Sequence, residues 1–282
     1  MSSQFKRILI DSRHKDPESE SDADFWCTIP YPVLIPQNST LYVDSVLLSH
    51  SWNAVGDNQF QNIYLHEVVG ATTHRRIVAL DPGDYNLTSL RTEVQAKLNS
   101  GSNLSGSYTV TVSDGKMTFA NSTPGPDHAK IFGLEDVNAE DFFQTFGQGL
   151  FYPLAPAAEL LGLMKANNVQ INASTSLTGE YVDLQPHKRL LLSCPGLGGE
   201  TSYVGLRGNT DVIRSILVGN SLTGDVVQDS LNHTTTGVDF KHDVVIQKLH
   251  FILRSANSGH VLNLNSHQIS FELVIQHRQD AR

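Results

Sequence analysis

Thr40–Val55 reads TLYVDSVLLSHSWNAV, and the fold turns on how this stretch is read. Successive side chains of a strand point to opposite faces. On that rule Leu41, Val43 and Leu47 share one face, and Tyr42, Val46 and Leu48 share the other. A strand that is apolar on both faces belongs inside a covered sheet, as in a sandwich. The polar residues and the tryptophan of Ser49–Asn53 mark its exit into a loop.

Upstream, Phe5–Ile10 is a short strand-like run, followed by the acidic, proline-containing segment DSRHKDPESESDAD. This polar segment is either an arm or an exposed loop, and Met1–Asp22 is the candidate N-terminal arm, one that would order on a partner. Asp24–Ile29 alternates as a strand does, and Pro30, Pro32 and Pro36 punctuate the connector after it, as at a strand end or sheet edge.

Downstream, Ile63–Val69 and Arg75–Leu80 flank a turn and predict a hairpin. Leu87, Leu90, Val94 and Leu98 recur at spacings that place them on one stripe of a helix. Asn86 is its N-cap and Asn99-Ser100-Gly101 its stop. Tyr108–Val112 and Lys116–Ala120 predict a second hairpin across Asp114-Gly115. His128–Leu134 and Ala157–Leu163 share a short Ala/aliphatic/Gly-Leu pattern and read as helical turns. Between them lies an aromatic, acidic loop with Phe142, Phe143, Phe146, Phe151 and Tyr152, suited to local packing or to a partner. The last 120 or so residues read as strands and turns, at Val169–Ala173, Gly179–Leu184, Arg189–Ser193, Val212–Val218, Val244–Arg254 and Gln268–Gln276. In the last two, Val245, Leu249, Phe251 and Leu253 are assigned to one face, as are Ile269, Phe271, Leu273 and Ile275. The expectation is an all-β sandwich over 23–282 with an insertion near 121–165.

Composition narrows the function. Of 282 residues, 39% are hydrophobic and only 17% charged, so Ser, Thr, Asn, Gln and Gly must supply much of the polar surface. A charge of −9, with no Lys/Arg cluster larger than Arg75-Arg76 or Lys188-Arg189, argues against a dedicated nucleic-acid binder. Cys27 and Cys194 make neither a disulfide framework nor a metal knuckle. No apolar run reaches the roughly 18 residues of a membrane span, and no secretory signal is recognised in MSSQFKRILIDSR.

The motifs that suggest chemistry all fail on a required residue. His66-Glu67 begins a zincin pattern, but Gly70 stands where the second histidine must be. Glu18, Glu20, Asp22 and Asp24 alternate like a calcium loop, yet Ala23 and Ile29 occupy its glycine and bidentate positions. Gly219–Gly224 is one residue too long for a nucleophile elbow. No catalytic, cofactor or metal site is expected.

Read in order, Asp11-Ser12-Arg13, Asp24-Phe25, Ile29-Pro30, Ser45-Val46 and Ser51-Trp52-Asn53 resemble the opening of minor capsid and penton proteins. These belong to large eukaryotic double-stranded DNA viruses and to virophages and polinton-like viruses. Pro82–Tyr85 with its helix, and the ending VLNLNSHQISFELVI, are similar to later parts of the same pattern. The resemblance implies a single jelly-roll that assembles into pentamers at capsid vertices. It also implies contacts with major and other minor capsid proteins, and residence in the virion. Asp11, Ser12, Arg13, Asp24, Phe25, Pro30, Ser51, Trp52 and Asn53 carry the motif; Phe142, Phe143, Phe146 and Tyr152 are candidate interface aromatics. Two other readings are a spike or glycan-binding sandwich using Trp52 and Tyr152, and a cupin-type enzyme with clustered His and Glu.

Overall fold

The structure is a computed structural model that describes residues 4–56, 59–133, 157–164, 169–197, 211–219, 223–230, 237–257 and 259–277. The chain forms two compact units, Met1–Trp52 with His187–Arg282, and Asn53–Pro186. The second is an insertion in the first, and it is much longer than the 121–165 segment expected from sequence.

The strands in chain order are β1 (Gln4–Asp11), β2 (Asp24–Ile35), β3 (Ser39–Ser49), β4 (Asn62–Val69), β5 (Thr72–Ala79), β6 (Tyr108–Ser113), β7 (Lys116–Asn121), β8 (His128–Ile131), β9 (Leu177–Tyr181), β10 (Arg189–Ser193), β11 (Val212–Leu217), β12 (Val226–Ser230), β13 (Val238–Phe240), β14 (Val244–Ser255) and β15 (Ile269–His277). Among the described residues one α-helix, α1 (Leu87–Asn99), lies between β5 and β6.

In the first unit one sheet runs β1-β15-β3-β12, with β13 also on β3, and the other runs β11-β10-β14-β2. All these pairs are antiparallel. β12 and β13 lie along the same side of β3 and together fill one strand position. Counting positions along the unit, the sheets are 1-8-3-6 and 5-4-7-2, the strand order of a jelly-roll. The two sheets share one core, in which Phe251 meets Phe25 at 5.5 Å and Phe271 at 4.9 Å.

β3 is central, but its faces differ from strict alternation. Phe271 pairs with Val46 and Leu273 with Val43, so β3 carries one extra residue at Asp44-Ser45. This bulge shifts the parity. Leu41, Val43, Val46 and Leu48 all enter the core, while Leu47 turns outward and is 49% exposed. A second irregularity, between Ile246 and Lys248, acts likewise on β14. Ile246 points inward, and Val245 lies outside the core at 63% exposure.

Two further expectations are corrected. The N-terminal segment is not a free arm, because all of β1 pairs with β15 across the ends of the chain. His128–Ile131 is a strand on β4, not a helical turn. Its Ala129 and Ile131 are buried at alternate positions, and four residues are too few to repay helix nucleation. β12 and β13 lack a sequence signal because each is only a fragment of one strand position.

The inserted unit carries sheets β5-β4-β8 and β6-β7-β9. Its helix follows the sequence closely. Asn86 and Ser89 form a capping box, and Leu90, Val94 and Leu98 are buried. Asp114 and Gly115 have φ of 51° and 73°, as a type I′ hairpin turn requires. Ala157–Leu163 does make a turn of helix, with Leu161 N–H donating to the Ala157 carbonyl at 2.9 Å.

Candidate assembly surface

Asp11, Ser12 and Arg13 meet where β1 ends in a short 3-10 turn. Asp11 caps the turn by accepting from the Arg13 N–H at 2.9 Å, and binds the Arg13 guanidinium at 2.5 Å. The Arg13 hydrogen bonds hold the Asp11 carboxyl below the usual carboxylate range. Ser12 is fully buried, and its Oγ accepts from the Ile269 N–H at 3.1 Å. The triplet therefore fastens the end of β1 to the start of β15. Beside it, a groove of about 230 Å³ is bordered by Asp11, Arg13, Leu47, Ser49, Val226 and Gln268.

Asp24 and Phe25 begin β2. Phe25 is core, whereas Asp24 faces out and lies 2.6 Å from Nε2 of His250. His250 stacks on Trp26 at 4.3 Å, and Lys248 sits over the same indole at 5.2 Å. Residues Lys15–Asp22 form a strap along the free edge of β2. Asp16 N–H donates to the Trp26 carbonyl at 2.8 Å. The Trp26 N–H donates to Ser19 Oγ at 3.0 Å, and the Thr28 hydroxyl to Asp16 at 2.7 Å. Lys15 pairs with Asp22 at 2.5 Å, and Lys248 pairs with Glu18. Of the alternating carboxylates, Glu18 and Asp22 are thus tied to lysines and Asp24 to a histidine. Pro30 is exposed in β2, an edge strand, where a missing N–H costs no ladder bond.

Ser51 and Trp52 close the far end of β3. Ser51 donates to the Leu264 carbonyl at 2.7 Å, and Asn265 Nδ2 donates to the Ser51 carbonyl at 2.5 Å. Trp52 is 2% exposed and stacks on His50 at 4.2 Å. It is a core residue and offers no platform to a sugar. Asn53 begins the inserted unit. Phe142, Phe143, Phe146 and Tyr152 lie outside the described residues.

The exposed apolar side chains were missed by motif reading. Phe5 and Leu9 stand on the outer face of β1, the latter 70% exposed. Tyr31 is 82% exposed, and Leu34 pairs with Val245 outside the core. Phe5, Leu9 and Leu34 follow alternation; Val245 and Leu47 are exposed because of the two irregularities. Among the described residues no three His, Cys, Asp or Glu side chains are placed to hold a metal ion. Among them, too, no helix is long and apolar enough to cross a membrane.

No family model and no curated protein matches this sequence. Solved structures do match. A chain in the cryo-EM structure of the Sputnik virophage is 13% identical over 98% of this chain and 97% of its own, with a TM-score of 0.45. The mavirus penton protein is 9% identical over 97% of this chain and 99% of its own, with a TM-score of 0.46.

Proposed function

We propose that this chain is a structural protein of a viral capsid, a penton-like single jelly-roll that assembles in rings of five at icosahedral vertices and contacts the major capsid protein. The observation that carries the reading is the 1-8-3-6 and 5-4-7-2 strand order of the first unit, an architecture that viral capsid domains use. The ordered sequence motifs fall on this frame at its closures: the end of β1, the start of β2 and the exit of β3. The exposed apolar residues of β1, β2 and β14 give such a block surface to bury against neighbours. On this reading the protein's work is assembly, and its place is the virion.

Native mass spectrometry and electron microscopy of the purified protein test the reading. Particles with the mass of five chains and five-fold rings are expected. A monodisperse monomer that never co-purifies with capsids refutes it.

A further inference from the structure

Every open sheet must protect its edge strands or use them. In the first unit the edges are treated unequally. β2 carries Pro30 and Pro32, an irregular register and the Lys15–Asp22 strap. β11 is six residues long with a register shift against β10, and β12 and β13 are five and three residues long. β1 has eight residues, no proline and an unbroken register with β15. Among the described residues, nothing but β15 hydrogen-bonds the backbone of Phe5–Ile10. This edge is open, and its outward row is Phe5, Arg7, Leu9 and Asp11.

We propose that the free edge of β1 pairs antiparallel with β1 of a second copy about a two-fold axis centred on Leu9. A continuous sheet requires outward residues to face outward residues, which leaves few registers. Centring on Arg7 sets Arg7 against itself, and like charges directly opposite are unfavourable. Centring on Ile8 sets Arg7 against Leu9. Centring on Leu9 sets Leu9 against Leu9, Arg7 against Asp11 on both sides of the axis, and Ile8 against Ile10 on the inner row. Of these registers only this one sets opposite charges across the axis, while Arg7 keeps its own-chain partners Asp44 and Glu272 and Asp11 keeps Arg13. The contact buries the most exposed leucine among the described residues of the unit and extends the sheet across two copies, a β-strand addition in which each copy is donor and acceptor.

This contact is isologous, so it differs from the heterologous contacts that close a ring of five, and it does not rest on the ring. Three single variants test it in the full chain. Leu9→Cys puts two thiols opposite one another, with Cβ atoms about 5 Å apart, so mild oxidation should give a covalent dimer as the main product. Phe5→Cys is equally outward, but its two copies lie roughly 27 Å apart in this register, so it should stay uncross-linked. The wild type, with Cys27 half-buried and Cys194 buried, is the control. Leu9→Lys should weaken the dimer roughly tenfold by light scattering, since it removes the apolar pair and opposes two like charges. Its fold, checked by circular dichroism, should be kept because the side chain is largely in water. Absence of the Leu9→Cys dimer, cross-linking of Phe5→Cys, or a dimer indifferent to Leu9→Lys overturns the proposal. Five-fold rings that survive Leu9→Lys unchanged, with no Leu9→Cys dimer, would overturn it and leave the ring standing. Dimers without rings would do the reverse.

Discussion

Replacing Glu67 with alanine should destabilise the inserted unit selectively. Glu67 sits on β4 with its side chain at 0% exposure, yet it carries a charge. Its carboxylate accepts five hydrogen bonds: from Arg76 at 2.5 Å, Ser102 Oγ at 3.0 Å, the Asn103 N–H at 2.8 Å, Asn103 Nδ2 at 2.9 Å and the Tyr108 hydroxyl at 2.8 Å. Arg76 in turn donates to the carbonyls of Leu98 at 3.1 Å and Ser100 at 2.7 Å. One buried ion pair therefore binds β4, β5, the end of α1 and the start of β6. Truncating one partner of such a pair leaves the other charge buried and uncompensated, which costs about 3–5 kcal/mol. For a unit of this size that corresponds to roughly 10–20 °C of melting temperature. Differential scanning calorimetry and near-ultraviolet dichroism would read it. A loss under about 1 kcal/mol would mean that water replaces the carboxylate freely, and the argument from burial would fail.

The same residue gives a pH signature. Burial alone pushes the Glu67 carboxyl up, but hydrogen bonds from Asn103 and Tyr108, with the charge of Arg76, outweigh it and hold the group below its ordinary value of 4.5. A depressed carboxyl contributes stability above its unfolded-state value and loses that contribution as the pH falls through its folded-state value. Below about pH 4.5 the wild type should therefore lose stability more steeply than Glu67→Gln.

Smaller perturbations test the first unit. Ser12→Ala should cost about 1–3 kcal/mol by chemical denaturation, since it strands the buried Ile269 N–H. Phe271→Ala should cost about 3–5 kcal/mol. Leu47→Lys, paired with Ser270 next to Phe271 in the ladder yet outside the core, should change stability by about 0.5 kcal/mol or less. Asp16→Ala removes both bonds to Thr28 and should speed tryptic cleavage at Lys15 several-fold in timed digests, with little change in melting temperature. Burial pushes the Cys194 thiol up to about 12, so it should resist iodoacetamide at pH 8 until the protein is unfolded.

The long elements were legible because their signals are local. The stripe Leu90-Val94-Leu98 and the Asn86 cap specify α1 without help from the rest of the chain. Asp114-Gly115 specifies its hairpin for the same reason. β3 was legible as a buried strand but not in its faces. Alternation assumes an even ladder, and the extra residue at Asp44-Ser45 is defined only by β15, more than two hundred residues away. β1 shows the same limit. Its strand pattern is visible, but the partner that keeps it from being a loose arm lies at the other end of the sequence. The extent of the insertion was hidden as well, because strands of either unit look alike before they are paired.

The distinction matters for what the motifs mean. The residues that carry the capsid resemblance are mostly closures of the sandwich: Asp11 caps a turn, Ser12 ties β1 to β15, Phe25 and Trp52 fill the core, and Ser51 anchors the exit of β3. Their hydrogen-bonding capacity is spent inside the molecule, so they can set the shape of the block but not choose its neighbours. The side chains free to choose lie between the motifs, at Leu9, Tyr31, Leu34 and Val245, and two of them are also shaped by proline or by irregular pairing. An edge blunted by Pro30, Pro32 and a strap cannot accept a strand, so apolar contact there must be made by faces. An edge left regular over eight residues can accept one. The two sheets therefore offer two kinds of joint, a face joint on β2 and β14 and an edge joint on β1, and substitutions at Val245 and at Leu9 should disturb different assembly states.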